Sequence, residues 1–435
     1  MVFEKGMIRT KIVPRFRKTR MSQRKQPLRR TEWAERHVEE FLSLPFISEF
    51  VFRSPQTADR TQREVADFLV AHGQIGILIS QKCQEDPSRR SVVKTESWVR
   101  KEAKRAVDQL RGALRTAIGK PIWCDHPRRG RVQFPNGLPK INHGIVVVEV
   151  FHPVDLEPDA TDLPLDFQGT PISYFSVNDF LNLAVELRTT PELLEYLNAR
   201  RSLPLRELRV VGDERSLFEF YLLNNGSMAG SLSRADARKA TAAQQEDLIQ
   251  LLRLKAKSDH YSKLLEHVAD ALATRNPECA KDISPAALAG LEPLSSRSGY
   301  LEMQGVLSNL RLSERAELGR AFHDAMQQLS TRPEGFVYTA WCLDSKPDLV
   351  LVFGSSKKLE RRILLDRMIV FMRGAMAFYR KERCLMVMDR DSVGYEVGLG
   401  QMQSPPTPEE LQLGNHLFGH LRTIDRPLSL VPDLQ

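Results

Sequence analysis

The chain has 435 residues, 42% hydrophobic and 27% charged, an ordinary globular balance with length for about three domains. No apolar run approaches the roughly 20 residues a membrane-spanning helix needs, so such a span is excluded and a soluble, cytoplasmic protein is expected. The net charge of +8 is concentrated: residues 1–30 carry eleven Lys and Arg against Glu4 alone, or +10, which leaves −2 for residues 31–435. Residues 1–31 therefore read as a basic disordered tail. An arm of this kind adds salt-sensitive, sequence-independent affinity for phosphate backbones. An organelle transit peptide, or upstream codons with Met7 or Met21 as the true start, gives the same composition.

In chain order, Thr31 caps a predicted helix from Glu32 to about Leu44, with Ala34, Val38, Phe41 and Leu42 as its apolar stripe. Phe46–Phe52 alternates and reads as a strand, and Ser54–Arg63 as a polar turn. Val65–His72 and Ile75–Cys83 are near-continuous apolar runs, predicted as two strands paired around Gly73 in a sheet covered on both faces. Gln84–Arg90 reads as a charged loop, Thr95–Ile118 as a long amphipathic helix, and Pro121–Lys140, with Arg128, Arg129 and Arg131, as a surface loop. Gly144–Phe151 is a further buried-type strand. The predicted order over residues 32–151 is thus αβββαβ, an α/β fold.

Residues 156–225 read as an α/β extension, with a strand at Pro171–Phe175, short helices at Val177–Leu187 and Pro191–Arg201, and an apolar helical turn or two at Leu217–Leu223. Gly226–Ala243 is Gly/Ser/Ala-rich and reads as a linker. Residues 244–435 form a mixed α/β, helix-rich C-terminal half. Its predicted helices are Gln244–Ala273, Tyr300–Leu329 and Lys357–Glu382, and its strands Phe336–Leu343, Asp348–Ser355 and Cys384–Asp389.

Several familiar chemistries lack their residues. The five cysteines, Cys83, Cys124, Cys279, Cys342 and Cys384, are dispersed without a CxxC pair, which fits reduced thiols and not a disulfide frame or a zinc site. His416 and His420 have helical ligand spacing, but Gly419 interrupts them and no third ligand is near. Asp125-His126 and His152 are isolated, and Gly226-Ser-Met-Ala-Gly-Ser lacks the nucleophile-elbow order. Neither GxxxxGK[ST] nor GxGxxG occurs. Asp389-Arg390-Asp391 reads as a turn at a strand exit.

The remaining constellation is Glu64-Val-Ala-Asp67-Phe-Leu-Val followed by Ile75-Gly-Ile-Leu-Ile-Ser-Gln-Lys82. Paired strands bring a carboxylate that opens one and a lysine that ends the other to one place. Asp67 can there bind a divalent cation while Lys82 steadies a water or a phosphate oxygen, the parts that phosphodiester hydrolysis requires.

Residues 34–117, about a fifth of the chain, resemble a mostly prokaryotic group within the PD-(D/E)xK nuclease superfamily. The matching residues are Ala34-Glu35, Pro45-Phe46-Ile47, Arg63-Glu64-Val65-Ala66-Asp67, Ile79-Ser80-Gln81-Lys82, Trp98 and Asp108-Gln109-Leu110-Arg111-Gly112-Ala113; Leu187–Leu197 extends the likeness more weakly. The resemblance implies a restriction-endonuclease-like core over residues 32–155. It further implies metal-dependent cleavage of nucleic acid, DNA in preference to RNA, in defence against foreign DNA or in a mobile element.

In that reading Asp67 is the main metal ligand, joined by Glu35 and the backbone carbonyl of Gln81. Lys82 orients or deprotonates the attacking water, and Gln109 contacts the substrate phosphate. Hard oxygen ligands select Mg²⁺ or Mn²⁺. The sequence departs from the pattern at Ser80, where the superfamily has Asp or Glu. Glu64 or Glu35 would have to supply the missing carboxylate. The rival reading is a catalytically silent nuclease fold that binds nucleic acid or a protein partner. Trp98 reads as core in preference to a substrate platform.

Overall fold

A computed structural model of the full chain describes Val38 and residues 50–421, apart from 276–298 and short stretches of the loops. The basic tail, Glu35, Gly73, Arg128, Arg129 and Cys279 lie outside the described residues, as does the first predicted helix apart from Val38. The described chain is α/β, built on two separate sheets.

The larger sheet contains β1 (Val51–Thr57), β2 (Phe68–His72), β3 (Ile75–Lys82), β4 (Ile122–His126), β5 (Gly130–Phe134), β6 (Ile141–Val148), β8 (Asp166–Phe167) and β9 (Thr170–Ser176), in the order β5-β4-β1-β2-β3-β6-β9-β8. Its centre, β3-β6-β9, is parallel, and the remaining pairs are antiparallel. Such a sheet needs cover on both faces. Helix α1 (Val92–Thr116) crosses between β3 and β6 over one face, where Val99, Ala103, Ala106, Val107 and Leu110 pack on Leu69, Leu78, Val146 and Val148. Helices α2 (Val177–Leu187), α3 (Thr190–Arg200), α5 (Arg215–Leu223) and α6 (Arg234–Ala243) contribute to the other face, against Val70, Ile77, Ile79 and Val147. Short α4 (Leu205–Leu208) and the small ribbon of β7 (Val154–Asp155) with β10 (Val210–Val211) complete this unit.

The second sheet has the order β11-β12-β13-β14: Gly335–Leu343, Lys346–Lys357, Arg383–Arg390 and Tyr395–Gln401. The β12–β13 pair is parallel because α10 (Arg361–Tyr379) makes the crossover. Helices α7 (Gln245–Arg275), α8 (Gly299–Ser308) and α9 (Leu312–Ser330) share one core with this sheet, and α10 with α11 (Pro408–Phe418) share the other. The two units are tied together by buried polar contacts. Arg315 on α9 meets Glu192 on α3 at 3.3 Å, Glu192 also accepts the Leu312 backbone N–H at 2.6 Å, and His72 lies 2.6 Å from the Ser308 hydroxyl.

Several expectations need correction. Of the strand expected at Phe46–Phe52, residues 46–49 lie outside the described residues; the described strand is Val51–Thr57, which runs through the first four residues of the expected turn. A register shift between Arg53 and Gln56, with Ser54 at φ +41°, disrupts its alternation. The expected loop at 121–140 contains the β4–β5 hairpin; Ile122, Cys124 and Phe134 point inward, but their polar and basic partners masked the pattern. The order between β1 and β6 is therefore βββαβββ, and the expected αβββαβ core lacks those two edge strands. The Tyr300–Leu329 helix is two helices, because Glu314 accepts the Arg311 backbone N–H in a new helix start. The linker region holds α6, whose cap is Ser233. Asp389 lies in β13, not in a turn, and accepts from the Ser355 hydroxyl at 2.9 Å. Strand β14 and helix α11 were not anticipated.

Candidate active site

Strand pairing dictates the site. Phe68 is opposite Ile79, so Asp67, one residue earlier, falls beside Ser80. The Asp67 backbone continues the pairing after the regular strand has stopped. Its N–H donates to the Ile79 carbonyl at 3.1 Å, and its carbonyl accepts from Ser54 of β1 at 2.9 Å. Side chains two apart on β3 share a face, so Ser80 and Lys82 continue the row of Leu78 under α1. Gln109 reaches that row from the helix.

Four side chains meet there. The Lys82 ammonium donates to Gln109 Oε1 at 2.9 Å and lies 3.7 Å from Asp67 Oδ2. The Ser80 hydroxyl is 3.1 Å from both Asp67 Oδ2 and Gln109 Oε1; its single proton serves one of them at a time. The Gln81 backbone N–H donates to Asp67 Oδ2. Ser80 is fully buried, whereas the Asp67 and Lys82 side chains are about a fifth exposed, at 22% and 20%. The charged heads therefore lie nearer the solvent than the serine does. An ion pair this exposed contributes at most about 1 kcal/mol to stability. Its arrangement matters more for chemistry than for folding.

The backbone adds an acceptor. The Lys82 carbonyl accepts from Glu149 N–H on the β6 side at 2.9 Å. Backbone groups of successive strand residues point to opposite sides, so both the N–H and the carbonyl of Gln81 point to the β2 side, where the N–H meets Asp67. The Gln81 side chain lies on the opposite sheet face, where its amide donates to Cys83 Sγ at 3.1 Å. The buried carboxylate of Glu149 accepts the Gln84 backbone N–H at 2.9 Å; it follows Val148 and shares the face of Gln81, not that of Asp67.

Asp67, Lys82, Gln109 and the Gln81 backbone are thus brought together as expected. Glu64 is exposed at the entrance to β2, its backbone bridged to Gln56. Glu35 lies outside the described residues. The reading from sequence treated Ser80 only as a lost ligand; its i, i+2 spacing from Lys82 was the available signal for a hydroxyl that organises the row. Trp98 packs against the α1 core, as expected. On the same helix Glu102 is buried and accepts from Arg105 at 2.6 Å.

The other candidates do not assemble. Helix α11 ends at Phe418, so His416 and His420 do not share a helical face. His126 is buried against Phe52, and His152 lies 3.6 Å from Glu96. None of the four described cysteines forms a disulfide. Among the described residues no group of three His, Cys, Asp or Glu side chains is placed to hold a metal ion. The oxygen atoms grouped at Asp67 are its own carboxylate, the Ser80 hydroxyl and Gln109 Oε1, with the Gln81 carbonyl on the β2 side, hard ligands of the kind Mg²⁺ and Mn²⁺ take with water and phosphate completing the shell. No described helix is long and apolar enough to cross a membrane. No family model matches the chain, and neither curated proteins nor solved structures match it, so the functional reading rests on the residues themselves.

Proposed function

We propose that the chain is a divalent-metal-dependent nuclease with its centre at Asp67, Ser80, Lys82 and Gln109, acting on DNA in preference to RNA. The single observation that carries this reading is the convergence of Lys82 with Asp67 at 3.7 Å and Gln109 at 2.9 Å on one covered sheet face. The β2–β3 hairpin, α1 and parallel β6 are the part of the fold that agrees with a restriction-endonuclease-like core.

Asp67 and the Gln81 carbonyl would hold Mg²⁺ or Mn²⁺. Such an ion neutralises charge on the nonbridging phosphate oxygens and favours a hydroxide nucleophile. Lys82 holds a water or phosphate oxygen by its ammonium group. Gln109 keeps that ammonium aimed at Asp67, and the Ser80 hydroxyl donates to the carboxylate or to the amide oxygen. In the overall reaction water oxygen bonds to phosphorus, the bridging P–O bond breaks, and a proton reaches the leaving oxygen. Among the described residues Asp67 is the only side-chain carboxylate in this contact set, so Glu35 or Glu64 remains the proposed supplier of a second.

The test is cleavage of plasmid DNA by the full chain in Mg²⁺ and Mn²⁺, with Asp67→Asn and Lys82→Ala beside it. Activity that needs metal and disappears in both variants supports the reading; activity unchanged in both removes it. A second reading, a silent nuclease fold that only binds nucleic acid, draws on Ser80 in place of a carboxylate. DNA binding with no cleavage in either metal would favour it.

A further inference from the structure

Helix α10 carries the feature that the hydrolytic centre leaves unexplained. Its inner side packs Leu364, Met368, Ala375 and Met376 into the second unit's core, and its last turns lie against α11. The opposite side of its first three turns faces outward. There Ile363, Leu365, Ile369 and Val370 are 43%, 37%, 51% and 44% exposed, beside the exposed Arg362, Arg367 and Arg373. Three arginines near the sheet of this unit are paired: Arg361 and Arg390 with Glu396, and Arg383 with Glu302 and Asp348. Among the described residues, Arg362, Arg367 and Arg373 show no ion pair, and Asp366 is the one carboxylate on their face.

Arg362 and Arg373 are eleven residues apart, which puts them about 16 Å apart along the axis and within about 20° of one line. Arg367 stands between them along the axis, on the flank with Ile363 and Val370. We propose that this outer face of α10 docks the phosphate backbone of double-stranded DNA. Duplex DNA rises about 3.4 Å per step on each strand, so the line from Arg362 to Arg373 spans roughly five phosphates. Guanidinium groups match phosphate oxygens bidentately. The aliphatic side chains alternate with them around the exposed arc and lie against deoxyribose.

A two-fold pairing of this helix centred between Arg367 and Met368 would set Arg362 against Arg373, which charge disfavours. A helix lying in a lipid interface segregates its apolar side from its basic side, which this one does not. The proposal goes beyond the hydrolytic reading, since no atom of the Asp67 centre takes part.

The experiment is fluorescence anisotropy of a labelled duplex with the full chain in EDTA, across a range of NaCl. The variant replaces Arg362, Arg367 and Arg373 with Gln, and circular dichroism melts check its fold. With each phosphate contact worth about 0.9 in the slope of log K against log salt, the triple variant should be shallower by about 2.7. The triple Lys variant should keep most of the slope. Should the triple Gln variant fail to fold, Arg373→Gln alone should lower the slope by about 0.9. An unchanged slope overturns the proposal. Loss of binding to phosphatidylserine vesicles, or of self-association in sedimentation, with the DNA slope unchanged also overturns it and assigns the face to that other partner. The slope is read in EDTA, where a metal-dependent centre does not cleave, so failure here is separate from failure of the hydrolytic centre.

Discussion

Ser80→Asp returns a carboxylate to the row that holds Asp67 and Lys82. The Ser80 oxygen is 3.1 Å from Asp67 Oδ2, in a fully buried position. Two carboxylates about 4 Å apart repel by about 4 kcal/mol at an effective dielectric of 20. Lys82, 3.7 Å from Asp67, offsets part of that. Without metal the variant should therefore unfold at lower urea, with a loss of about 2–4 kcal/mol. A divalent ion that bridges the pair reverses the sign, and at a hundredfold excess over Kd it adds about 2.7 kcal/mol. The assay is urea unfolding of parent and Ser80→Asp with and without Mn²⁺. The reasoning fails if Mn²⁺ stabilises Ser80→Asp no more than it stabilises the parent.

Burial, aided by Lys346, pushes His72 down to about 4 from its ordinary 6.5. Above pH 6.5 both states are neutral there; below it the unfolded chain takes up a proton that the folded chain refuses. Stability should fall by about 1.4 kcal/mol per pH unit between 6.5 and 4, or about 3 kcal/mol in all. His72→Asn should flatten this part of a stability–pH curve, and an identical curve would refute the assignment. Glu192→Ala removes the carboxylate that faces the fully buried Arg315 and the acceptor of Leu312 N–H, at an expected cost of about 3–5 kcal/mol. Adding Arg315→Met should recover part of that loss. Gly319→Ala would put a methyl carbon 2.2 Å from the Tyr261 carbonyl oxygen where α7 and α9 meet, so a melt should show a loss of about 1–3 kcal/mol.

The parts of the fold that were legible from sequence are those where a single apolar period dominates. The β2–β3 pair and α1 agree within a few residues, and α2 matches its predicted span, Val177–Leu187. At the end of α2, Arg188 takes the left-handed conformation before the Thr189 cap of α3. The β4–β5 hairpin was hidden because Arg131 spends its charge over the Trp123 ring, 5.2 Å from the centroid, on the outward side of the sheet. Composition alone reads such a segment as a loop. Strand β14, Tyr-Glu-Val-Gly-Leu-Gly-Gln, was hidden by its glycines. They serve close packing: the Met372 side chain would stand 3.1 Å from a Cβ at Gly398.

At the candidate site, the meeting of Asp67, Lys82 and Gln109 was legible from strand pairing and helix spacing. One feature was not. The Ser80 hydroxyl stands 3.1 Å from both the acid and the amide oxygen, which residue identity alone does not say.

The central claim is that Asp67 and the Gln81 carbonyl form a divalent-cation site beside Lys82. Anomalous diffraction from crystals soaked in Mn²⁺ tests it most directly. A peak at coordination distance from the Asp67 carboxylate, lost in Asp67→Asn crystals, is the predicted result. A clean map around Asp67 in crystals whose protein still cleaves DNA with Mn²⁺ would contradict it.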